Sequence, residues 1–234
     1  MTMSLPVGVS GQWTREWRRG EAGVLHSRGL PDPVIREVSI LSVRNRAVVL
    51  GSAQRFDEVD LEAAAAAGVE IVQRRGGGGA VWLAPGEQLW LDVVVPTGDE
   101  LWDADVGRAF LWLGDVWEAA LADLGVKAVT HRRGLIRSPR SSSICFAGLG
   151  PGEIHVDGAK LVGMSQRRVR DASRFQCVVY DRFDPAPLVD VLAMEPDERP
   201  VAVGELLATC VGLQDVAPGT SLADLESAVL RRLS

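Results

Sequence analysis

The chain has 234 residues, of which 47% are hydrophobic and 24% charged, and its net charge is -6 at pH 7. No apolar run approaches the ~20 residues that cross a bilayer, and no leader pattern indicates secretion, so we expect a cytoplasmic protein without a membrane partner. The acidic balance argues against nucleic-acid binding. Three scattered cysteines and three scattered histidines predict reduced thiols and no metal site.

The first third of the chain predicts strands alternating with helices. In chain order, we expect a helix anchored by Trp13, Trp17 and Leu25, two paired strands at residues 38–43 and 47–50, and a helix at 57–67. Asp57 or Asp60 would cap that last helix, and Gly68 would end it.

The sequence QRRGGGGAV at residues 73–81 is the most informative stretch of the chain. Apolar strands are predicted on both sides of it, at 68–72 and from Val81 onward. Four consecutive glycines cost conformational entropy, and such a run is typical of places where something approaches the backbone closely. Bare N–H groups beside two arginines suit a carboxylate or phosphate, although a flexible hairpin tip has the same composition.

The remainder of the chain predicts an α+β fold. An apolar stripe through Val106, Phe110, Leu113, Trp117, Ala120 and Leu124 predicts a core-facing helix at 103–124, which Gly125 ends. A long loop at 132–152 is followed by a hairpin at 153–166 that turns at Asp157-Gly158, and by a strand at 175–180. A helical segment, at about 184–234, closes what we expect to be one domain spanning residues 1–234.

Lys160 is the second chemical feature, because it follows the Asp157-Gly158 turn on a strand that ends in small and polar residues. A lysine in that setting can hold a phosphate or an acyl carbonyl as a point charge, although most strand lysines are simply solvated. Two basic groups, at residues 132–140 and 167–174, suggest an anionic ligand or an acidic partner.

Three blocks in this order resemble the lipoate–protein ligase and octanoyltransferase family of the biotin/lipoate ligase superfamily. They are VVLGSAQ at 48–54, RRGGGGAV at 74–81 and DGAKLVGMSQ at 157–166. The resemblance implies a mixed, largely antiparallel sheet with flanking helices and an apolar tunnel for the acyl chain. It also implies transfer of a lipoyl or octanoyl group to a lysine of an acidic lipoyl domain or a glycine-cleavage-H-type protein.

The resemblance further assigns roles residue by residue. Lys160 matches the lysine that touches the activated carbonyl or the α-phosphate of an acyl adenylate. A positioned cation would stabilise the negative charge that develops there. The positions matched to the acyl- and phosphate-binding part are Arg75, Gly77, Gly78, Gly79, Ala80, Gly163, Ser165 and Gln166.

Two mechanisms and one non-enzymatic alternative remain open. In the favoured ligase route, ATP with Mg activates lipoate as lipoyl-AMP. In the transferase route, an octanoyl group arrives on acyl carrier protein and passes through Cys145, whose position resembles the nucleophile of one octanoyltransferase type. A buried, inert Cys145 fits the sequence equally well. Arg174-Phe175-Gln176-Cys177 replaces the family's usual His-Gly pair, which leaves open a diverged module that binds lipoyl groups or adenylates without catalysis.

Overall fold

The computed structural model describes residues 12–234, and ten strands form two sheets within them. The strands are β1 (Thr14–Gly20), β2 (Glu37–Val43), β3 (Ala47–Leu50), β4 (Glu70–Gln73), β5 (Val81–Leu83), β6 (Gln88–Pro96), β7 (Val129–Thr130), β8 (Ile154–Val156), β9 (Ala159–Arg168) and β10 (Ala172–Tyr180). The large sheet has the order β1-β2-β6-β10-β9-β8-β7, and the small sheet has the order β4-β3-β5. Only β1/β2 and β3/β4 pair in parallel, which agrees with the mixed, largely antiparallel sheet expected from the sequence.

Strand β6 shows why the two sheets stack. Its first eight residues are all buried, as a near-continuous apolar run predicts for a strand covered on both faces. Leu91 and Val93 belong to the core cluster formed with two of the helices. Trp90, on the opposite face, belongs to the cluster shared with the small sheet. The space between the two sheets is therefore lined from both sides.

Seven helices and three short 3₁₀ turns complete the described part of the chain. The helices are α1 (Ala22–Ser27), α2 (Leu61–Ala66), α3 (Leu111–Asp123), α4 (Ala186–Val191), α5 (Glu198–Thr209), α6 (Leu213–Val216) and α7 (Leu222–Arg232), and the turns are Phe56–Glu58, Arg108–Phe110 and Cys145–Ala147. Helices α3 and α7 pack together in the cluster on the outer face of the large sheet. From residue 184 onward the regular elements are all helical, as expected.

Several sequence-based expectations were wrong in detail. Strands β2 and β3 do not pair with each other but lie in different sheets, because β2 is taken up by β1 and β6 on its two edges. The strands flanking the glycine run do not form a hairpin either, since β3 lies between them. A hairpin tip is therefore excluded for residues 74–80.

The predicted helix around Trp13 and Trp17 is also wrong, because Trp17 lies in β1 and only Leu25 lies in α1. Residues 1–11 of that stretch lie outside the described part. Helix α3 begins eight residues later than expected, and Val106 is 59% exposed, so the apolar stripe starts after it. Within residues 12–234, every helix is too short or too polar to cross a bilayer.

Candidate active site

An apolar pocket lies between the two sheets. Val49, Val81 and Leu83 of the small sheet line one side, and Trp90 and Val178 of the large sheet line the other. The space is narrow, and its walls are almost entirely apolar. A narrow apolar space between two sheets suits a hydrocarbon chain.

Arg74 and Val81, which flank the glycine run, line this pocket, and Gly78 and Gly79 line a second pocket beside it. The backbone contacts of the run explain its glycines. Gly78 has φ +96°, which only glycine adopts readily. A Cβ on Gly79 would lie 2.6 Å from the backbone of Ile144. The amide N–H of Cys145 donates to the carbonyl of Ala80 at 3.0 Å. The segment that carries Cys145 therefore lies directly against the glycine run.

Arg74, rather than Arg75, is the buried arginine of this loop. Its guanidinium donates to the carbonyls of Val49, Gly77 and Gly79 at 2.8–3.0 Å, which fixes the loop around it. Its Nε has no hydrogen-bond partner within the described residues, although Arg74 lines the apolar pocket. Burial lowers the pKa of Arg74, and the sulfur of Cys145 acts in the opposite direction. A guanidinium remains charged at neutral pH even so.

Cys145 lies where two pockets meet. It lines the apolar pocket and also a second, wider space of about 590 Å³, open mouth included. Its Sγ lies 3.6 Å from where a Cβ of Gly78 would stand, and Arg74 Nη2 lies 3.0 Å from the same point. Cys145 is partly exposed, whereas Cys177 and Cys210 are buried. Burial raises the pKa of Cys177 to about 12 and that of Cys210 to about 11, so Cys145 is the accessible thiol of the three.

Lys160 is buried and fully paired. Its ammonium contacts the Glu153 carboxylate at 2.8 Å and donates to the carbonyls of Cys145 and Gly148 at 3.0 and 2.9 Å. Three acceptors match the three N–H groups of an ammonium. Burial alone would lower the pKa of Lys160, but its interactions with the Glu153 carboxylate and with the Cys145 sulfur raise it above the usual value. Lys160 is thus a permanent cation that holds the backbone of the cysteine segment.

Glu153, the partner of Lys160, is held in place by backbone hydrogen bonds. Its Oε1 also accepts the amide N–H of Met164 at 2.8 Å, and its Oε2 accepts that of Gly150 at 2.6 Å. Glu153 lines the second pocket beside Cys145. The C-terminal helices complete the arrangement, because Cys210 Sγ donates to the carbonyl of Phe146 at 3.2 Å and the amide of Val211 donates to the carbonyl of Lys160 at 3.0 Å.

A histidine, His26, lines the apolar pocket together with Trp90 and Gln176. His26 of α1 packs against Trp90 with ring centroids 4.6 Å apart and the ring planes tilted by 31°. Its Nδ1 lies 3.3 Å from Gln176 Nε2. Burial, with the charges of Arg74 and Arg174, lowers the pKa of His26 to about 3. Gln176 stands in the segment that lacks the expected His-Gly pair, so a neutral histidine reaches this pocket from α1 instead.

The structure brings most of the predicted site residues together. Gly163 and Ser165 line the apolar pocket, Gly78 and Gly79 line the second pocket, and Ala80 pairs with the cysteine segment. The side chain of Arg75 and the backbone of Gly77 are exposed, and Gln166 touches only the edge of the loop through its carbonyl, near Gly76.

Sequence reasoning did not select Arg74, Glu153, His26 or Trp90 as site residues. The burial of Arg74 could have been predicted, because residues two positions apart in an extended segment face the same side, and the apolar Val72 indicates that this side faces inward. No sequence signal identified Glu153 as a site residue, because Glu153 and Lys160 come into contact only when the hairpin at 153–166 folds back on itself.

The family model described as the lipoyl protein ligase A/B catalytic domain matches residues 26–234. The chain therefore belongs to this family of lipoate–protein ligases and octanoyltransferases. It is 27% identical over 176 residues to the octanoyltransferase LipM of Exiguobacterium sp. strain AT1b, covering 72% of this chain and 63% of that protein. The chain thus matches less than two thirds of that relative's length.

Solved structures share the fold. A bipartite lipoate–protein ligase studied with its E2 lipoyl domain, from Thermoplasma acidophilum, superposes with a TM-score of 0.74 at 17% identity, covering 96% of this chain and 83% of that one. A lipoate–protein ligase A bound with ATP gives a TM-score of 0.69 at 19% identity, covering 96% and 85%. At these identities the likeness concerns the fold alone.

Proposed function

We propose that this protein transfers an octanoyl or lipoyl group from a thioester donor to a lysine of an acceptor domain, with Cys145 as the covalent carrier. One observation carries this proposal. The partly exposed Cys145 lies at the junction of an apolar pocket between the two sheets and a second, more polar pocket. A nucleophile at that junction can receive an acyl chain on one side and exchange thiol and amine partners on the other.

The reaction consists of two acyl transfers. In the first, the sulfur of Cys145 attacks the thioester carbonyl, a new C–S bond forms, and the donor's thiol leaves with the proton that Cys145 gives up. In the second, the acceptor's lysine amine attacks the Cys145 thioester, an amide bond forms, and the proton released by the nitrogen returns to the cysteine sulfur. The acyl chain stays in the apolar pocket throughout.

The surrounding cations have separate roles in this proposal. Both attacks place negative charge on the acyl oxygen, and a fixed cation in a poorly solvated site stabilises it. Arg74 is the buried arginine that lines the apolar pocket together with Cys145, and its Nε–H has no partner within the described residues. Lys160 is held by three acceptors, so it supports the Cys145 carbonyl rather than the substrate. This assignment differs from the role that the family resemblance implies for Lys160.

The ligase route is the second candidate. The shared fold with lipoate–protein ligases favours it, and an adenylate could occupy the second pocket, where Arg137 supplies a cation. In that route ATP and Mg activate free lipoate or octanoate, and Cys145 has no covalent role. A binding module without catalysis is the third candidate.

Intact-mass spectrometry separates the three candidates. The protein is incubated with octanoyl-acyl carrier protein, or with ATP, Mg and octanoate, each with and without a lipoyl domain. We expect an octanoyl adduct on the enzyme from the thioester, lost in Cys145→Ala and kept in the matched control Cys177→Ala, followed by acylation of the lipoyl domain. Acceptor acylation that needs ATP and survives Cys145→Ala would select the ligase. No transfer under either condition would select the binding module.

A further inference from the structure

One exposed segment borders the second pocket. Residues 132–137, called here the rim segment, are all exposed. They include three arginines and no acidic residue, together with Leu135 and Ile136, which are 53% and 56% exposed. Large apolar side chains beside unopposed cations are typical of surfaces that bind a partner.

The rim segment is held in place rather than loosely attached. Ile136 and Leu149 exchange backbone hydrogen bonds of 2.8 and 3.0 Å, and His131 Nε2 lies 2.9 Å from the carbonyl of Gly134. Leu135 and Arg137 line the same pocket as Cys145. A partner seated on this segment would therefore stand over the entrance to the thiol.

Two of the four arginines in the other basic group, at residues 167–174, are engaged by other residues of the chain. Arg168 and Arg174 are engaged internally, with the carbonyls of Asp103 and Ala104 and with the Asp92 carboxylate respectively. In the rim segment Arg132 pairs with Asp115. Arg133 and Arg137 have no carboxylate partner within residues 12–234. Two cations are therefore available to an outside partner.

We propose that the rim segment is the docking surface for an acidic carrier protein that presents the acyl thioester to Cys145. This inference rests on the proposed function. The rim segment contributes Leu135 and Arg137 to the second pocket, which leads to Cys145, so the thioester arm of a carrier seated there would enter beside the thiol. Carboxylates of the carrier would pair with Arg133 and Arg137, and an apolar patch would cover Leu135 and Ile136.

The test compares a protein donor with a small one. Acylation of Cys145 is measured with octanoyl-acyl carrier protein and with octanoyl-N-acetylcysteamine, for wild type, Arg133→Glu, Arg137→Glu and the double variant. Arg231→Glu on α7 is the matched control, because Arg231 is also exposed and carries the same charge change. We expect the double variant to lower kcat/KM for the protein donor about tenfold, with a weaker salt dependence. Arg133→Glu, whose side chain does not line the second pocket, should lower it several-fold while the small donor reacts at the wild-type rate.

Each alternative outcome has a definite meaning. Equal losses for both donors in Arg133→Glu would overturn the docking role, since that arginine would then act on the pocket itself. A double variant that matches wild type and Arg231→Glu with both donors would overturn it as well. If only acylation of the acceptor lipoyl domain falls, the surface serves the acceptor and the donor assignment is wrong. Failure of wild type to react with the small thioester would instead count against the proposed function.

Discussion

Replacing Gly79 with alanine tests how the glycine run positions the cysteine. The new Cβ would lie 2.6 Å from the Ile144 backbone and 2.8 Å from the Cys145 amide nitrogen, while ordinary contacts begin at 3.4 Å. The difference of about 0.8 Å must be met by moving one backbone segment away from the other. Such overpacking costs about 1–3 kcal/mol of unfolding free energy, and a shift near 1 Å lowers a catalytic rate by about 100-fold.

Gly77 supplies the matched control for this variant. A Cβ there would meet nothing within 4 Å, and the residue does not have a positive φ. We expect Gly77→Ala to keep its acylation rate and Tm, whereas Gly79→Ala loses roughly 2–4 °C per kcal/mol of destabilisation. The measurements are the rate of octanoyl adduct formation on Cys145 and a thermal melt. Wild-type acylation and Tm in Gly79→Ala would refute the reasoning.

Three further outcomes follow from the buried charges and thiols. Glu153→Gln should lower the unfolding free energy by about 3–5 kcal/mol, because it leaves a buried cation unpaired. The alkaline pH at which the acylation rate declines should also be lower in this variant than in wild type, because removing the carboxylate charge lowers the pKa of Lys160. An unchanged pH profile of the acylation rate would contradict this. Iodoacetamide near neutral pH should modify Cys145 alone, and equally fast labelling of a second cysteine in a peptide map would be inconsistent with the burial described. Because the pKa of His26 is about 3 when folded and near 6.5 when unfolded, the unfolded chain binds more protons between these values. Stability should therefore fall by about 1 kcal/mol per pH unit below pH 6.5, and His26→Gln should flatten that slope in denaturant titrations.

Local signals in the sequence predicted local structure well. The turn at Asp157-Gly158 has φ values of +50° and +90°, as an Asp-Gly hairpin turn requires. Ser221 and Asp224 form a capping box at the start of α7, a pattern that can be read from the sequence alone. Both features depend on residues within three positions of each other, so no tertiary information was needed to find them.

Pairing over long distances could not be predicted in the same way. Strand β3 lies between β4 and β5 in the small sheet, whereas β2, which precedes it in the chain, pairs with β1 and β6 in the large sheet. No short sequence pattern encodes which strands become neighbours. The site shows the same limit. The blocks predicted that the glycine run and Lys160 belong together, but the carboxylate of Glu153 and the carbonyl of Cys145 that fill the lysine's coordination follow from the folded loop.

The contacts of residues 210 and 211 tie the cysteine segment to a distant part of the sequence. The thiol of Cys210 donates to the carbonyl of Phe146, 64 residues away, and the amide of Val211 donates to the carbonyl of Lys160. A chain truncated before residue 210 would therefore keep Cys145 but lose both hydrogen bonds. We expect such a truncation to loosen the geometry around the thiol without removing the thiol itself.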